Sequence, residues 1–158
     1  MTIAAHAASP AVGQAAPDFT LPSTSGAPVT LSSFRGSQSV LIAFFPLAFT
    51  SVCTAELCAF TDDYDLFADA GVVVLPVSVD SIPTLKEFRG KYGIRTELLS
   101  DFKREAALAY DVLFEDTFFS TRAYFLIDPE GTVRWAHVES APGQRRDNAE
   151  ILEQIRLL

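Results

Sequence analysis

Two cysteines, Cys53 and Cys58, five positions apart, are the side chains of this sequence best suited to covalent chemistry. Cys53 ends the stretch PLAFTSVC, which follows directly on the apolar run SVLIAFF. Pro46, Thr50 and Cys53 form the pattern P-x-x-x-T-x-x-C. In it a rigid proline ring would shield a thiol from solvent, and a threonine hydroxyl would accept from or donate to reacting atoms. A lone cysteine is often only a small buried hydrophobe; the residues around this one point to a nucleophile. Only the thiolate attacks, so the position has to favour charge on sulfur.

The elements around Cys53 would do that. Residues 39–45 are continuously apolar, as expected of a strand buried on both faces. A helix is predicted over residues 53–70, with Leu57, Phe60, Tyr64 and Phe67 at helical spacing and Gly71 placed to end it. Thr50 or Ser51 would cap it, placing Cys53 in the first turn. There the unpaired N–H groups and the positive end of the helix dipole favour an anion. Reactive groups in open α/β sheets favour this location, beyond the carboxyl ends of the strands.

The other elements read as follows. Two short strands are predicted at residues 18–21 and 28–31, around the turn residues Ser23 and Gly26. A buried strand follows at 72–79, where Pro76 argues for a bulge or a strand edge. Next come a helix at 82–92, a short strand at 97–99 and a helix at 104–110. A hairpin follows, of strands 123–128 and 132–138 around the turn PEG, and an amphipathic helix over 146–158 closes the chain. Alternating β and α units imply a largely parallel sheet with helices on both faces. The expected fold class is α/β, thioredoxin-like, with a central mixed sheet flanked by helices and an N-terminal β extension. Residues 1–15 read as a flexible leader, without the basic and apolar segments of a signal peptide, and 16–158 as one domain.

Composition sets the outer bounds. The chain has 158 residues, 49% of them apolar, including thirteen Phe, enough for one buried core. A net charge of −8 with scattered Lys and Arg argues against a nucleic-acid partner, and no apolar run is long enough to span a membrane. Two cysteines do not make a disulfide scaffold, which favours a reducing, cytoplasmic setting. His6 and His137 form no ligand set with the cysteines, and no Gly-rich phosphate loop occurs. No metal and no bound cofactor are therefore expected.

With these residues in view, the sequence resembles the peroxiredoxins. FFPLAFTSVCTAEL is similar to their active-site loop and especially to that of the AhpE-type branch. APDFTL at 16–21, LLSDF at 98–102 and TRAYFLIDPEG at 121–131 resemble further family segments, in the family's order. The resemblance implies a thiol-dependent peroxidase acting on hydrogen peroxide, organic hydroperoxides or peroxynitrite. It makes Cys53 the peroxidatic nucleophile, with Thr50 and Pro46 in their usual places. Arg122 matches the guanidinium that stabilises the thiolate and orients the peroxide, a role suited to a group charged at every working pH. Glu56 matches a recurrent position, where it either orients Arg122 or a second arginine or remains a solvated first-turn glutamate. Thioredoxin, a glutaredoxin-like protein or a small thiol would be the reductant, and a homodimer is implied.

Cys58 stands at the spacing of the PrxQ/BCP-like branch, whose second cysteine resolves the sulfenic acid formed on the first. AhpE-type proteins have a one-cysteine pattern, so features of two branches meet here. On a regular helix, Cα atoms five apart lie roughly 8.6 Å from each other, beyond the limit of about 7 Å for a disulfide. A resolving Cys58 thus requires the first turns to unwind; otherwise Cys58 is a buried helix-face residue beside Leu57. Two other functions are compatible with reactive cysteines. A thiol–disulfide oxidoreductase would normally carry C-x-x-C, and a redox-sensing binding protein would need no turnover.

Overall fold

The computed structural model describes residues 8–158. Its central sheet is built on β3 (Ser39–Phe44), buried at every position as its unbroken apolar sequence requires. β3 pairs in parallel with β4 (Val72–Ser78), which pairs in parallel with the short β5 (Leu99–Ser100). On its other edge β3 is antiparallel to β6 (Ala123–Ile127), and β6 to β7 (Val133–Val138). The order β5-β4-β3-β6-β7 makes a five-stranded mixed sheet. β1 (Thr20–Leu21) and β2 (Val29–Thr30) form a separate two-stranded extension.

Alternation along β3 divides the core. Val40, Ile42 and Phe44 pack on one face with Tyr110, Phe125 and Ile127. Leu41 and Ala43 pack on the other with Phe60, Phe67, Tyr124, Leu126, Ile151 and Ile155. The helices are α1 (Ser51–Asp62), α2 (Tyr64–Asp69), α3 (Ile82–Tyr92), α4 (Glu105–Ala109) and α5 (Asn148–Arg156). A third apolar cluster lies under the starts of α1 and α3, with Phe45, Leu57, Leu85, Phe88 and Leu98 around Cys53.

Pro76 sits in register opposite Ala43, without a bulge. The Val77 carbonyl accepts from the Phe45 N–H, so Val77 faces β3 and Pro76 faces the opposite side. β5 begins only at the Val77–Leu99 pair, so the missing donor falls where β4 is still an edge.

Two expectations need correction. The helix expected over 53–70 starts at Ser51 and is broken at Asp63 into α1 and α2. There the Asn148 side chain, from the start of α5, donates to the Ala59 carbonyl and to the Asp63 carboxylate, both at 2.9 Å. Of the leader expected over 1–15, residues 1–7 lie outside the described residues, but the rest is fastened to the domain. Ser9 Oγ donates to the Tyr110 carbonyl, and the Gly13 N–H donates to the Val133 carbonyl at 2.8 Å. Ala15 bridges to Thr132 beside the hairpin turn. Among the described residues no helix is long and apolar enough to cross a membrane.

Candidate active site

The loop between β3 and α1 is pinned at several points. The Phe45 N–H donates to Val77, and the Ala48 N–H donates to Asp80 Oδ2 at 2.8 Å. Ser78 Oγ donates to the same carboxylate oxygen, which ties the loop to the end of β4. Phe49 has φ of 67°, a left-handed conformation that costs a residue with a Cβ about 1–3 kcal/mol. Its ring is held against Phe88 and Tyr92, with centroids 5.1 and 6.4 Å away. Pro46 is buried within this loop.

Thr50 is the N-cap of α1 by its extended backbone, but its hydroxyl does not cap the helix. Oγ1 donates to the Leu47 carbonyl at 2.8 Å. With its hydrogen committed, the hydroxyl can only accept from a further partner. Thr50 is solvent-exposed, whereas Cys53, three residues on, is only 1% exposed.

Arg122, immediately before β6, meets the sulfur from the sheet side. Nη2 donates to Cys53 Sγ at 3.1 Å, and Nη1 donates to Glu56 Oε1 at 2.9 Å. Nε donates to the Gln144 carbonyl at 3.0 Å, and Nη2 also approaches the Pro142 carbonyl at 3.3 Å. The guanidinium is thus oriented by main-chain and side-chain acceptors at once. Burial alone would lower its proton affinity. The adjacent Glu56 carboxylate and Cys53 sulfur outweigh this and hold Arg122 above the ordinary arginine value.

Glu56 is as buried as Arg122, so it is not a solvated first-turn residue. Its second oxygen, Oε2, accepts from the Tyr124 hydroxyl, whose own oxygen accepts from the Arg146 N–H at 3.1 Å. Burial pushes the Glu56 carboxyl up, opposed by the charge of Arg122 and by hydrogen bonds from Tyr124 and Arg122. Burial, reinforced by Glu56, also pushes the Tyr124 phenol well above the ordinary tyrosine range. Beyond Tyr124, Arg146 pairs with Glu139, which also faces His137 at 3.3 Å.

Cys58 is half-buried, and neither cysteine is in a disulfide. Both lie on the uninterrupted α1, which keeps their Cα atoms beyond disulfide reach. The structure therefore brings together Cys53, Arg122 and Glu56, sets Thr50 and Pro46 in the loop before them, and leaves Cys58 unpaired further along the helix.

Sequence reasoning missed Tyr124, Asp80 and the carbonyls of Pro142 and Gln144. Tyr124 had a signal. It lies two residues beyond Arg122 in extended chain, so the two side chains share a face. An apolar cavity of about 340 Å³ near Leu21, Ile82 and Phe102 includes none of these residues in its lining.

The arrangement places a buried sulfur at the start of a helix against a fixed guanidinium. It can stabilise a thiolate and, beside it, negative charge developing on an oxygen of a bound molecule.

Residues 12–136 match the family model described as the AhpC/TSA family. Alkyl hydroperoxide reductase E of Mycobacterium tuberculosis is 39% identical over 138 residues, covering 86% of this chain and 90% of that protein. A putative peroxiredoxin bcp of Coxiella burnetii is 38% identical over 128 residues, covering 77% and 84%. Among solved structures, the reduced 2-Cys peroxiredoxin of Plasmodium vivax superimposes with a TM-score of 0.85 at 35% identity, covering 92% of this chain and 80% of that one.

Proposed function

The chain belongs to the AhpC/TSA family and is a peroxiredoxin, a thiol-dependent peroxidase; on that premise we propose that Cys53 is the nucleophile that reduces hydroperoxides. The observation that carries this reading is the 3.1 Å contact between Arg122 Nη2 and Cys53 Sγ in a buried, helix-start environment.

The thiolate attacks one peroxide oxygen along the O–O axis. The S–O bond forms as the O–O bond breaks, two electrons pass from sulfur to the peroxide, and the departing oxygen takes up a proton to leave as water or an alcohol, or, from peroxynitrite, leaves as nitrite. Arg122 stabilises the thiolate before attack and the charge on the departing oxygen during it. Thr50, whose hydroxyl hydrogen is occupied by Leu47, accepts from the peroxide O–H and turns the molecule into line. Pro46 closes the loop side of the site, and Glu56 positions Arg122.

Cys53 sulfenic acid then condenses with a thiol, forming a disulfide and releasing water. Cys58 is the thiol nearest in sequence and acts once the start of α1 unwinds. Thioredoxin, a glutaredoxin-like protein or a small thiol completes the cycle. Hydrogen peroxide, organic hydroperoxides and peroxynitrite are the substrate class. The domain works within a homodimer, and two free cysteines suit a cytoplasmic setting.

Peroxide consumption supported by dithiothreitol tests this reading. Wild type and Cys58→Ser should both turn over, because the small thiol can substitute for Cys58, and Cys53→Ser should not. Wild-type turnover in Cys53→Ser would refute the assignment.

A further inference from the structure

A carboxylate facing a guanidinium tends to bind it through both oxygens, in two parallel hydrogen bonds. At this site that geometry would be harmful. Arg122 presents Nη1 to Glu56 and Nη2 to Cys53. A Glu56 bound through both oxygens would draw Nη2 away from the sulfur. Glu56 instead engages Arg122 through Oε1 alone, and its Oε2 is held by the Tyr124 hydroxyl.

We propose that Tyr124 is a positioning residue for the peroxidase reaction, holding Glu56 to a single contact with Arg122 so that Nη2 stays on Cys53. This rests on the roles of Cys53 and Arg122 given above.

Three features of the surroundings support it. Tyr124 is wholly buried, and its ring lies against Trp135 at 6.1 Å with 27° between the planes. The phenolic oxygen accepts from the Arg146 N–H, so its single hydrogen is directed to Glu56 Oε2. Among the described contacts, no other donor reaches that oxygen. Loss of the hydroxyl would leave a buried carboxylate oxygen unsatisfied, and turning toward Nη2 is its nearest remedy.

The test is Tyr124→Phe, which keeps the ring and removes one oxygen, measured as the second-order rate of Cys53 oxidation by hydrogen peroxide. Trp135 emission checks that the stacked environment persists. The rate should fall about tenfold or more, as expected for loss of a hydrogen bond to a charged group. In the Glu56→Gln background there is no carboxylate to compete for Nη2, so adding Tyr124→Phe should change the rate less than about threefold.

A packing defect would reduce both backgrounds alike. The deficit should also narrow at acid pH, as Glu56, which is faced by Arg122, Tyr124 and more distantly Arg145, takes up a proton. Wild-type speed in Tyr124→Phe, or an equal loss in both backgrounds, would overturn the proposal and leave the peroxidase reading intact. A wild type whose Cys53 ignores peroxide would overturn both.

Discussion

Arg122 Nη2 stands 3.1 Å from Cys53 Sγ although 69 positions separate the two residues in sequence. The contact depends on geometry as well as charge. The same guanidinium also engages Glu56 and the Gln144 carbonyl, a fork that an ammonium cannot reproduce. Arg122→Lys should therefore lose most of the peroxide reactivity, by about 10²–10³-fold, the usual effect of removing one preorganised donor. Stopped-flow oxidation of the reduced protein measures it. A lysine variant within about threefold of wild type would show that charge suffices.

Thr50 gives a sharper test of peroxide alignment. Its hydroxyl donates to Leu47 and is left to accept. Thr50→Ser should keep most of the rate, and Thr50→Val should lose at least about tenfold, the scale of one hydrogen bond in the transition state. Equal rates in the two variants would remove the hydroxyl from the mechanism.

The buried pair of Glu56 and Arg122 has a signature in stability against pH. Burial raises Glu56 above its ordinary value of 4.5. A carboxyl with a raised folded-state value binds protons more readily in the folded than in the unfolded chain. Its contribution is thus fully present below about pH 4.5 and lost as pH rises through the folded value. Urea midpoints of wild type, taken relative to Glu56→Gln, should decline as pH rises above about 4.5. A relative gain over that range would reverse the sign. Arg122, held above the ordinary arginine value, adds no titration there.

Cys58 can resolve Cys53 only if α1 gives way. The helix start offers little resistance, because Thr50, Ser51, Val52 and Thr54 are mediocre helix formers and the Thr50 side chain supplies no cap. Oxidation by peroxide should reduce the helical circular dichroism of wild type and leave Cys58→Ser unchanged. A disulfide between Cys53 and Cys58 with undiminished helicity would contradict the geometric argument.

Most of the candidate-site loop was legible because its signals are local. An apolar strand, a P-x-x-x-T-x-x-C loop and a helix start follow one another in sequence, and Arg122 sits in a segment with its own family likeness. What escaped depends on distant or main-chain partners. At the break between α1 and α2, Asp63 accepts from Asn148, 85 positions away. The carbonyls of Pro142 and Gln144 orient Arg122 from an irregular stretch, and carbonyls carry no side-chain signature. For Glu56 the sequence left two readings open, orienting an arginine or standing solvated in the first turn, and its contacts with Arg122 and Tyr124, 66 and 68 positions away, decide between them. The docking of residues 13–16 beside the β6–β7 turn uses backbone hydrogen bonds that an Ala-rich sequence does not announce.

The central claim is that Cys53 attacks peroxide and that Cys58 then closes a disulfide with it. Intact-mass analysis of the reduced protein after one equivalent of hydrogen peroxide tests both steps together. Wild type should lose two hydrogens within seconds, Cys58→Ser should gain one oxygen, and Cys53→Ser should not change. Oxidation of Cys53→Ser at the wild-type rate, or no mass change in wild type, would contradict the account.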